Sequence, residues 1–303
     1  MKISLLKQLL EKFESNITYE AELKKKNWFN IGGKAKVFYK ANDLKNLVEF
    51  LRTLNNKEKI HIIGAGSNTL ITDEIYDGVV IKLGINFNRI SILNSNILIA
   101  GAAVLDKRLS QFAADNGLGG FEFLSCIPGA VGGGLKMNAG CFGREIKDIL
   151  ISVQAIDKIG NVLTIPARQI DFNYRSNNLS DDIIFLSASF KGEKQNTKKI
   201  KEKILEFKDK KDNNQPTKIK TSGSTFKNPI DETSKKAWEL IKESVPADTK
   251  FGDACISDKH SNFFVNKGNA SFKEMKNLIN FVQKSVFKKT GISLEKEIKI
   301  LEN

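Results

Sequence analysis

The 303-residue sequence has no long apolar run, and it contains little cysteine, histidine or arginine. Because no stretch of about 18 apolar residues occurs, we expect no membrane-spanning helix. The cysteines Cys126, Cys141 and Cys255 are odd in number and show no C-x-x-C spacing. That pattern fits neither a disulfide framework nor a zinc site, so we expect reduced thiols in a cytoplasmic protein.

Histidine is almost absent, since only His61 and His260 occur. With no cluster of His and Cys residues, we expect no catalytic metal bound by the protein. His61 lies in an apolar strand pattern, which favours a structural role. A Ser-His-Asp hydrolase would require Ser224 to meet His260 and an acid. This alternative stays open, although the sequence contains no G-x-S-x-G nucleophile elbow.

The net charge of +13 raises the possibility of nucleic-acid binding. Only six residues are arginine, however, and the lysines are scattered along the chain without interleaved aromatic residues. We interpret the charge as a solvated lysine-rich surface, which would also attract an anionic small substrate. A basic nucleic-acid-binding protein is the alternative.

The length predicts about two domains, and strand and helix patterns alternate through about residue 125. The hydrophobic spacing predicts helices over residues 43–54, 104–116, 194–214, 234–243 and 271–289. It predicts strands over residues 60–63, 78–83, 97–100, 151–156, 162–165, 183–190 and 262–266. The lysine-rich stretch from residue 194 marks the expected boundary, with one domain over residues 1–195 and a second over 196–303.

Two glycine-containing segments favour a phosphate-bearing ligand. Residues 128–143 hold six glycines in sixteen positions, interleaved with apolar residues that favour an ordered loop. Backbone N–H groups in such a loop can approach a pyrophosphate closely. The loop has no Gly-Lys-Ser/Thr ending and no G-x-G-x-x-G helix opening, so a P-loop and a Rossmann motif are both disfavoured. The second segment, 64–70, follows an apolar strand, and an ordinary turn is its alternative interpretation.

Two further segments carry side chains suited to anionic ligands. In residues 173–176, Arg175 can clamp a carboxylate through its planar fork, or it is simply a surface arginine. In residues 223–229, Ser224 presents a hydroxyl, and Lys227 and Asn228 supply donors for phosphate or carbonyl oxygens. We favour a ligand-binding loop over a plain turn for this second segment.

A last segment, residues 294–298, contains two carboxylates. If residues 294–300 form a strand, Glu295 and Glu297 share one face of it. Solvated carboxylates near the chain end are the alternative interpretation.

Together these segments resemble a known family. In the family's order they are Asn30–Ala35, Gly64–Leu70, Pro128–Gly143, Tyr174–Ser176, Gly223–Pro229, His260–Asn266 and Leu294–Ile298. The sequence resembles the UDP-N-acetylenolpyruvoylglucosamine reductases of bacterial cell-wall precursor synthesis over nearly its whole length. The resemblance implies an α+β fold. A vanillyl-alcohol-oxidase (PCMH-type) FAD-binding domain of two α/β subdomains precedes a C-terminal α+β substrate-binding domain.

The resemblance also implies an oxidoreductase with non-covalent FAD, NADPH as co-substrate and a UDP-sugar nucleotide as substrate. The implied cofactor-binding residues are Gly64, Ala65, Gly66, Ser67, Asn68, Thr69, Leu70, Pro128, Gly129, Gly132, Gly133, Asn138, Ala139, Gly140 and Gly143. It implies a cytoplasmic monomer with no membrane or nucleic-acid partner. Another FAD-dependent oxidase or dehydrogenase of the same fold, acting on a small alcohol or sugar, is the alternative function.

The resemblance assigns a role to each candidate catalytic residue. Arg175 would stabilise negative charge that develops on the substrate carboxylate, with Glu297 as its partner. Ser224 would deliver a proton to the substrate. Tyr174, Lys227 and Asn228 would contact the substrate.

Overall fold

The computed structural model describes residues 1–216 and 219–303 of the chain. The helices are α1 Ile3–Leu9, α2 Leu44–Leu54, α3 Asp106–Asp115, α4 Val131–Lys136, α5 Thr197–Asn214, α6 Ala237–Ser244 and α7 Phe272–Thr290. The strands are β1 Ile17–Glu22, β2 Lys34–Ala41, β3 Ile60–Ile62, β4 Thr69–Ile71, β5 Tyr76–Leu83, β6 Ile90–Asn94, β7 Ile97–Gly101, β8 Leu118–Gly119, β9 Gly140–Cys141, β10 Arg144–Glu145, β11 Leu150–Ile156, β12 Val162–Pro166, β13 Phe172–Asn173, β14 Ser176–Asn177, β15 Ile184–Lys191, β16 Glu193–Lys194, β17 Lys250–Phe251, β18 Ala254–Ile256, β19 Phe264–Asn266 and β20 Lys299–Leu301.

The chain forms two compact units, and each unit is built from three segments. The first unit contains residues 1–19, 36–65 and 78–211, and the second contains residues 20–35, 66–77 and 212–303. The last changeover between the units therefore falls at residues 211 and 212. The predicted boundary after residue 195 concerns the division of binding functions, and it stays a prediction.

The first unit has an α+β core. A five-stranded sheet has the order β12-β11-β15-β7-β6 with antiparallel neighbours, and a four-stranded sheet has the order β1-β2-β5-β3. In the four-stranded sheet, β3 and β5 run parallel. One continuous cluster of buried apolar side chains, from Leu6 to Phe190, fills this unit.

The second unit has its own apolar core. Antiparallel strands β17-β18-β19 and helices α6 and α7 surround a cluster that includes Phe226, Phe264 and Leu278. Strand β4 pairs in parallel with β20, so that Leu70 faces Ile300 in the register. Two segments far apart in the sequence are thereby joined by backbone hydrogen bonds.

Helix α2 shows why the sequence folds locally as predicted. Its buried side chains, Leu47, Phe50, Leu51 and Leu54, recur at the spacing of one helical face. Asp43 is the N-cap, because its carboxylate accepts a hydrogen bond from the Asn46 N–H at 2.8 Å. The predicted helix is thus confirmed.

Two local expectations were wrong. The glycine stretch was expected to be a loop, but it contains the short helix α4. The expected strand over residues 294–300 is limited to 299–301, and Lys296 forms only an isolated bridge with Phe226. The other predicted helices and strands are present, although their ends are shifted. Within residues 1–216 and 219–303, no helix has the length and apolar character needed to cross a bilayer.

Candidate active site

Gly64, at the start of the segment 64–70, lies close to the glycine stretch 128–143 in the first unit. A Cβ atom placed on Gly64 would lie 3.8 Å from the Cβ of Ala130, an ordinary van der Waals contact. A Cβ placed on Gly133 would meet no atom within 4 Å, so this glycine faces open space. The main chain of both segments therefore borders one surface.

Several backbone donors at this surface are left for a ligand. Within the part of the chain that the structure describes, the N–H groups of Gly64, Ala65, Gly129 and Gly133 donate to no backbone acceptor. Main-chain N–H groups that are accessible at one surface and have no backbone acceptor can bind an anion together. These residues fit the diphosphate of the FAD that the sequence predicts.

Other predicted cofactor residues have packing roles. Gly66, in the second unit, has a φ of +68°, and a Cβ there would lie only 2.1 Å from the carbonyl oxygen of Lys26. In the first unit, the N–H of Gly132 donates to the carbonyl of Ala102 at 2.9 Å, which fixes the start of α4. Whether Gly66 and Gly132 also contact a cofactor stays a prediction.

Asn138 ties the glycine stretch to neighbouring segments of the first unit. Its Nδ2 donates to Glu145 Oε2 at 2.9 Å and to the carbonyl of Asn173 at 3.1 Å. Its Oδ1 accepts from the N–H of Lys147 at 3.2 Å. Both ends of this fully buried side chain are thus used within the protein, and they hold the hairpin that carries Arg175.

Arg175 lies at the tight turn between β13 and β14 with a φ of +56°, a conformation that costs a non-glycine residue free energy. Its Nη2 donates to the carbonyl of Gly140 at 2.9 Å, and its Nη1 lies 3.9 Å from Glu145 Oε1. Its guanidinium carbon is 4.8 Å from the centre of the Tyr174 ring. The cation is therefore held at the edge of the glycine stretch on three sides.

Glu145 contacts both Asn138 and Arg175 but was not among the residues predicted from the sequence. Lys147 lies 3.0 Å from the same carboxylate. No motif marks Glu145. The only signal is its position directly after the glycine stretch, so its partners become evident only from the fold.

In the second unit, the segment around Ser224 lies between two other segments and is fixed by backbone hydrogen bonds. The N–H of Thr225 donates to the carbonyl of Asn262, and the carbonyl of Thr225 accepts from the N–H of Glu297, each at 2.8 Å. The buried Asn262 side chain adds two bonds to the backbone of Phe226. The structure thereby brings Ser224 and Glu297 onto neighbouring segments.

Several hydroxyl groups of this segment have no hydrogen-bond partner among the residues that the structure describes. The half-buried Ser224 hydroxyl has no hydrogen-bond partner among residues 1–216 and 219–303. The buried hydroxyls of Thr221, Ser222 and Thr225 also lack one there. Because unpaired buried polar groups are costly, this row fits a polar ligand.

The remaining predicted residues of the second unit are placed as follows. Asn68 donates through Nδ2 to the carbonyl of Glu297 at 3.0 Å. Lys227 pairs with the exposed carboxylate of Glu295 at 2.7 Å. Asn228 accepts the N–H of Ala237 at 3.0 Å and so caps α6. Substrate contacts of Lys227 and Asn228 stay predictions.

Both histidines have structural surroundings. Burial lowers the pKa of His61 to about 4, and burial is also the main cause that lowers the pKa of His260. The Nδ1 of His260 accepts from the N–H of Asn262 at 3.3 Å. This imidazole nitrogen therefore serves the backbone rather than Ser224. Within the described parts of the chain, no three His, Cys, Asp or Glu residues are grouped to hold a metal ion.

A buried carboxyl group lies beneath the glycine stretch in the first unit. Asp106, the first residue of α3, is fully buried, and neither of its carboxyl oxygens has a partner among the residues that the structure describes. A Cβ on Gly129 would lie only 2.7 Å from Asp106 Oδ2, so the carboxyl packs directly against that glycine. Burial raises the pKa of Asp106 to about 8, which favours the neutral acid at neutral pH.

The chain matches two sequence profiles. Residues 35–166 match an FAD binding domain, and residues 215–301 match the C-terminal domain of UDP-N-acetylenolpyruvoylglucosamine reductase. The first match contains both glycine segments, and the second contains Ser224 and Glu297. The predicted combination of an FAD-binding fold and a substrate-binding fold is confirmed.

Relatives match over nearly the full length. UDP-N-acetylenolpyruvoylglucosamine reductase of Pelagibacter ubique is 63% identical over 302 residues, which covers 100% of both chains. The Rickettsia typhi reductase of the same name is 43% identical over 277 residues, which covers 91% of this chain and 92% of that one. The crystal structure of UDP-N-acetylenolpyruvylglucosamine reductase from Thermus caldophilus has a TM-score of 0.81 at 29% identity, covering 94% of this chain and 98% of that one.

The buried carboxyl of Asp106 predicts a pH-dependent stability. The acid stays protonated in the folded state up to about pH 8 but ionises above its ordinary pKa of 3.8 when the chain unfolds. The free energy of unfolding should therefore fall as the pH rises from 5 to 8, by up to about 1.4 kcal/mol per pH unit. Urea unfolding of Asp106→Asn should lack this decrease.

The exposed Asp115, at the other end of α3, provides the matched control. Asp115→Asn should keep the wild-type dependence between pH 5 and 8, because hydrogen bonds with Lys201 and Gln111 lower the pKa of the Asp115 carboxyl group. Equal slopes for wild type and Asp106→Asn would contradict the assignment of a neutral buried acid.

Proposed function

The chain belongs to the UDP-N-acetylenolpyruvoylglucosamine reductase family, and we propose how its residues carry out the reaction of that family. The reaction is the NADPH-dependent, FAD-mediated reduction of UDP-N-acetyl-enolpyruvoylglucosamine to UDP-N-acetylmuramate. This step belongs to peptidoglycan precursor synthesis, and it makes the protein an oxidoreductase and a flavoprotein. The observation that carries this conclusion is the full-length relationship, because it includes both the FAD-binding and the substrate-binding parts of the chain.

FAD fits the surface formed by the two glycine segments. Bound there, it would supply the hydride chemistry that links NADPH to the substrate. The N–H groups of Gly64, Ala65, Gly129 and Gly133 would hold the diphosphate, supported by their lack of backbone acceptors. Because these donors are fixed by the main chain, they need no reordering when the cofactor binds.

Arg175 would stabilise the negative charge that appears on the substrate carboxylate when a hydride adds to the enolpyruvyl double bond. A cation is most effective when it is already oriented and partly shielded from water. The contacts of Arg175 with Gly140, Glu145 and Tyr174, and its side-chain exposure of 17%, support this role. Glu297 would act on the same carboxylate as the partner of Arg175.

Ser224 would donate the proton that completes the reduction. A serine hydroxyl is a weak acid, but the charged intermediate is a strong base, so a positioned hydroxyl suffices. The absence of a hydrogen-bond partner for this hydroxyl in the described residues supports the assignment, because the group is not committed elsewhere. The backbone bonds of Thr225 would keep it aligned with Glu297.

We also propose that the protein works in the cytoplasm as a monomer, without a membrane or nucleic-acid partner. NADPH and nucleotide sugars are cytoplasmic metabolites, and every proposed catalytic residue comes from this one chain. Loss of the activity would impair the cell wall and, through it, cell shape, cell division and the cell cycle.

The function is tested by the visible spectrum of the purified protein. Flavin absorbance should bleach on anaerobic addition of NADPH and return on addition of UDP-N-acetyl-enolpyruvoylglucosamine. If the flavin absorbance returned with oxygen alone and did not change with the enolpyruvyl sugar nucleotide, the protein would instead be an FAD oxidase. A colourless preparation that binds nucleic acid with a steep salt dependence would also contradict the proposal.

The substitution Ser224→Ala should separate the two half-reactions. Bleaching by NADPH should keep its wild-type rate, whereas reoxidation by the sugar nucleotide should slow by about 100-fold or more. Stopped-flow absorbance measures both rates. Ser285→Ala, in the middle of α7, is the control and should change neither rate. Equal slowing of both half-reactions in Ser224→Ala would remove this serine from proton donation.

The substitution Arg175→Lys should slow reoxidation by about 100-fold, because a point charge does not replace a planar fork that binds Gly140 and Glu145 together. The matched control is Arg144→Lys, at an arginine whose exposed side chain pairs with Asp148. The control should react at the wild-type rate in stopped-flow experiments. A similar rate for Arg175→Lys would exclude Arg175 from charge stabilisation.

A further inference from the structure

The hairpin that carries Arg175 is fastened to the glycine stretch at both of its strands. On the side of β13, the carbonyl of Asn173 accepts a hydrogen bond from Asn138 Nδ2 at 3.1 Å. On the side of β14, the side chain of Asn177 reaches the end of α4. Each strand of this hairpin has only two residues. A hairpin so short has little stability of its own, so its attachments decide where its turn lies.

The attachment at β14 uses both ends of the Asn177 amide. Its Nδ2 donates to the carbonyls of Leu135 and Lys136, each at 3.0 Å. Its Oδ1 accepts from the N–H of Leu179 at 3.0 Å. Leu135 and Lys136 form the end of α4, where carbonyl groups have no acceptor role within the helix. One side chain therefore caps α4 and orders the chain that follows β14.

Lys136 holds the same segment from the other side. Its Nζ lies 2.7 Å from Asp181 Oδ1, and it donates to the carbonyls of Leu179 and Ser180, each at 3.3 Å. The side chain of Asp181 is 94% exposed, and an ion pair in water adds little to stability. The hydrogen bonds of the half-buried Asn177 are better shielded from water. Asn177 is therefore the main attachment on this side of the hairpin.

The two attachments explain how Arg175 keeps its backbone conformation. A non-glycine residue with a φ of +56° persists only where the surrounding structure leaves the chain no alternative. The bond from Arg175 Nη2 to Gly140 holds the guanidinium, but it does not fix the dihedral angles of the main chain. Those angles are set from the two strands, which Asn138 and Asn177 tie down.

We propose that Asn177 is a positioning residue for Arg175. By holding the hairpin against the end of α4, it sets where the guanidinium meets the substrate carboxylate, and this inference rests on the proposed function. Its amide is bonded within the protein on both sides, so its effect on the reaction passes through Arg175. The start of α4 is fixed separately, because the N–H groups of Val131 and Gly132 donate to the carbonyls of Val104 and Ala102. FAD binding at that end should therefore not depend on Asn177.

The substitution Asn177→Ala tests this role in the FAD-loaded protein. Flavin content and the rate of bleaching by NADPH should equal those of the wild type. Reoxidation by UDP-N-acetyl-enolpyruvoylglucosamine should slow by about 10-fold, because a small displacement of a catalytic group lowers the rate steeply. Asn177→Ser keeps a donor for one carbonyl and should recover part of the loss. Unchanged reoxidation, or equal slowing of both half-reactions, would overturn the proposal.

The matched control is Asn116→Ala. Asn116 also caps a helix of the first unit, since its Nδ2 donates to the carbonyl of Phe112 at the end of α3, at 2.8 Å. This variant should keep both wild-type rates in stopped-flow experiments. Slowing of reoxidation to the same extent as in Asn177→Ala would show a general effect of losing a helix cap and would also overturn the proposal.

A double substitution tests whether Asn177 acts through Arg175. If it does, adding Asn177→Ala to Arg175→Lys should slow reoxidation by less than about 2-fold beyond Arg175→Lys alone, since the two changes affect one group. If the two effects instead multiply, Asn177 acts on the reaction independently of Arg175, and its assignment as a positioning residue is wrong.

Backbone hydrogen exchange tests the attachment without any substrate. In Asn177→Ala, the N–H groups of residues 172–179 should exchange faster than in the wild type, because Leu179 loses its acceptor and the hairpin loses its hold on α4. Mass spectrometry of the peptides measures this, and Asn116→Ala should match the wild type there. Equal exchange in Asn177→Ala and the wild type would overturn the proposal. Failure of the wild type to be reoxidised by the sugar nucleotide would instead contradict the proposed function.

Discussion

Main chain that carries few side chains underlies the proposed cofactor surface. Gly64 comes against Ala130, and Gly133 faces open space, so backbone N–H groups rather than side chains line the surface. A side chain at Gly133 would fill the space that a ligand needs. In the proposed site the main chain would thus supply the binding groups, and the glycines contribute because they have no side chain.

Neighbouring contacts also hold the candidate catalytic groups in place. Arg175 has a strained backbone conformation, and its cation is neutralised in part by Glu145 and held by a carbonyl. In the second unit, the N–H of Thr225 donates to the carbonyl of Asn262, and its carbonyl accepts from the N–H of Glu297. These two bonds fix the main chain next to Ser224. In the first unit the guanidinium is held by its contacts, and in the second unit the main chain around Ser224 is fixed by hydrogen bonds. Oriented groups of this kind need little rearrangement during a reaction.

The sequence predicts the local elements better than the contacts between them. Helix α2 could be predicted because its apolar spacing, its cap and its end agree with one another. Helix α4 could not, since three consecutive glycines disfavour a helix in isolation. It forms because tertiary contacts hold it, including the bond from Gly132 to Ala102.

The candidate site could likewise be predicted from the sequence only in part. The types of residue at positions 175 and 224 pointed to anionic ligands, whereas Glu297 could equally be a solvated carboxylate, and the resemblance gave all three their roles. The partners of Asn138 and Arg175 depend on Glu145, and the position of Ser224 depends on Asn262, which lies 38 positions further along the chain. Long-range pairs of this kind leave no periodic pattern in a single sequence, so the fold was needed to find them.

The parallel pairing of β4 with β20 joins residue 69 to residue 299, a separation of 230 positions. A ribosome adds about 5–20 residues per second, so the early strand waits roughly 10–50 seconds after its synthesis before its partner exists. During that interval its three buried residues have no sheet to join. Completion of the second unit therefore waits for residues 299–301, and the nascent β4 must be kept from pairing with other strand edges until they emerge.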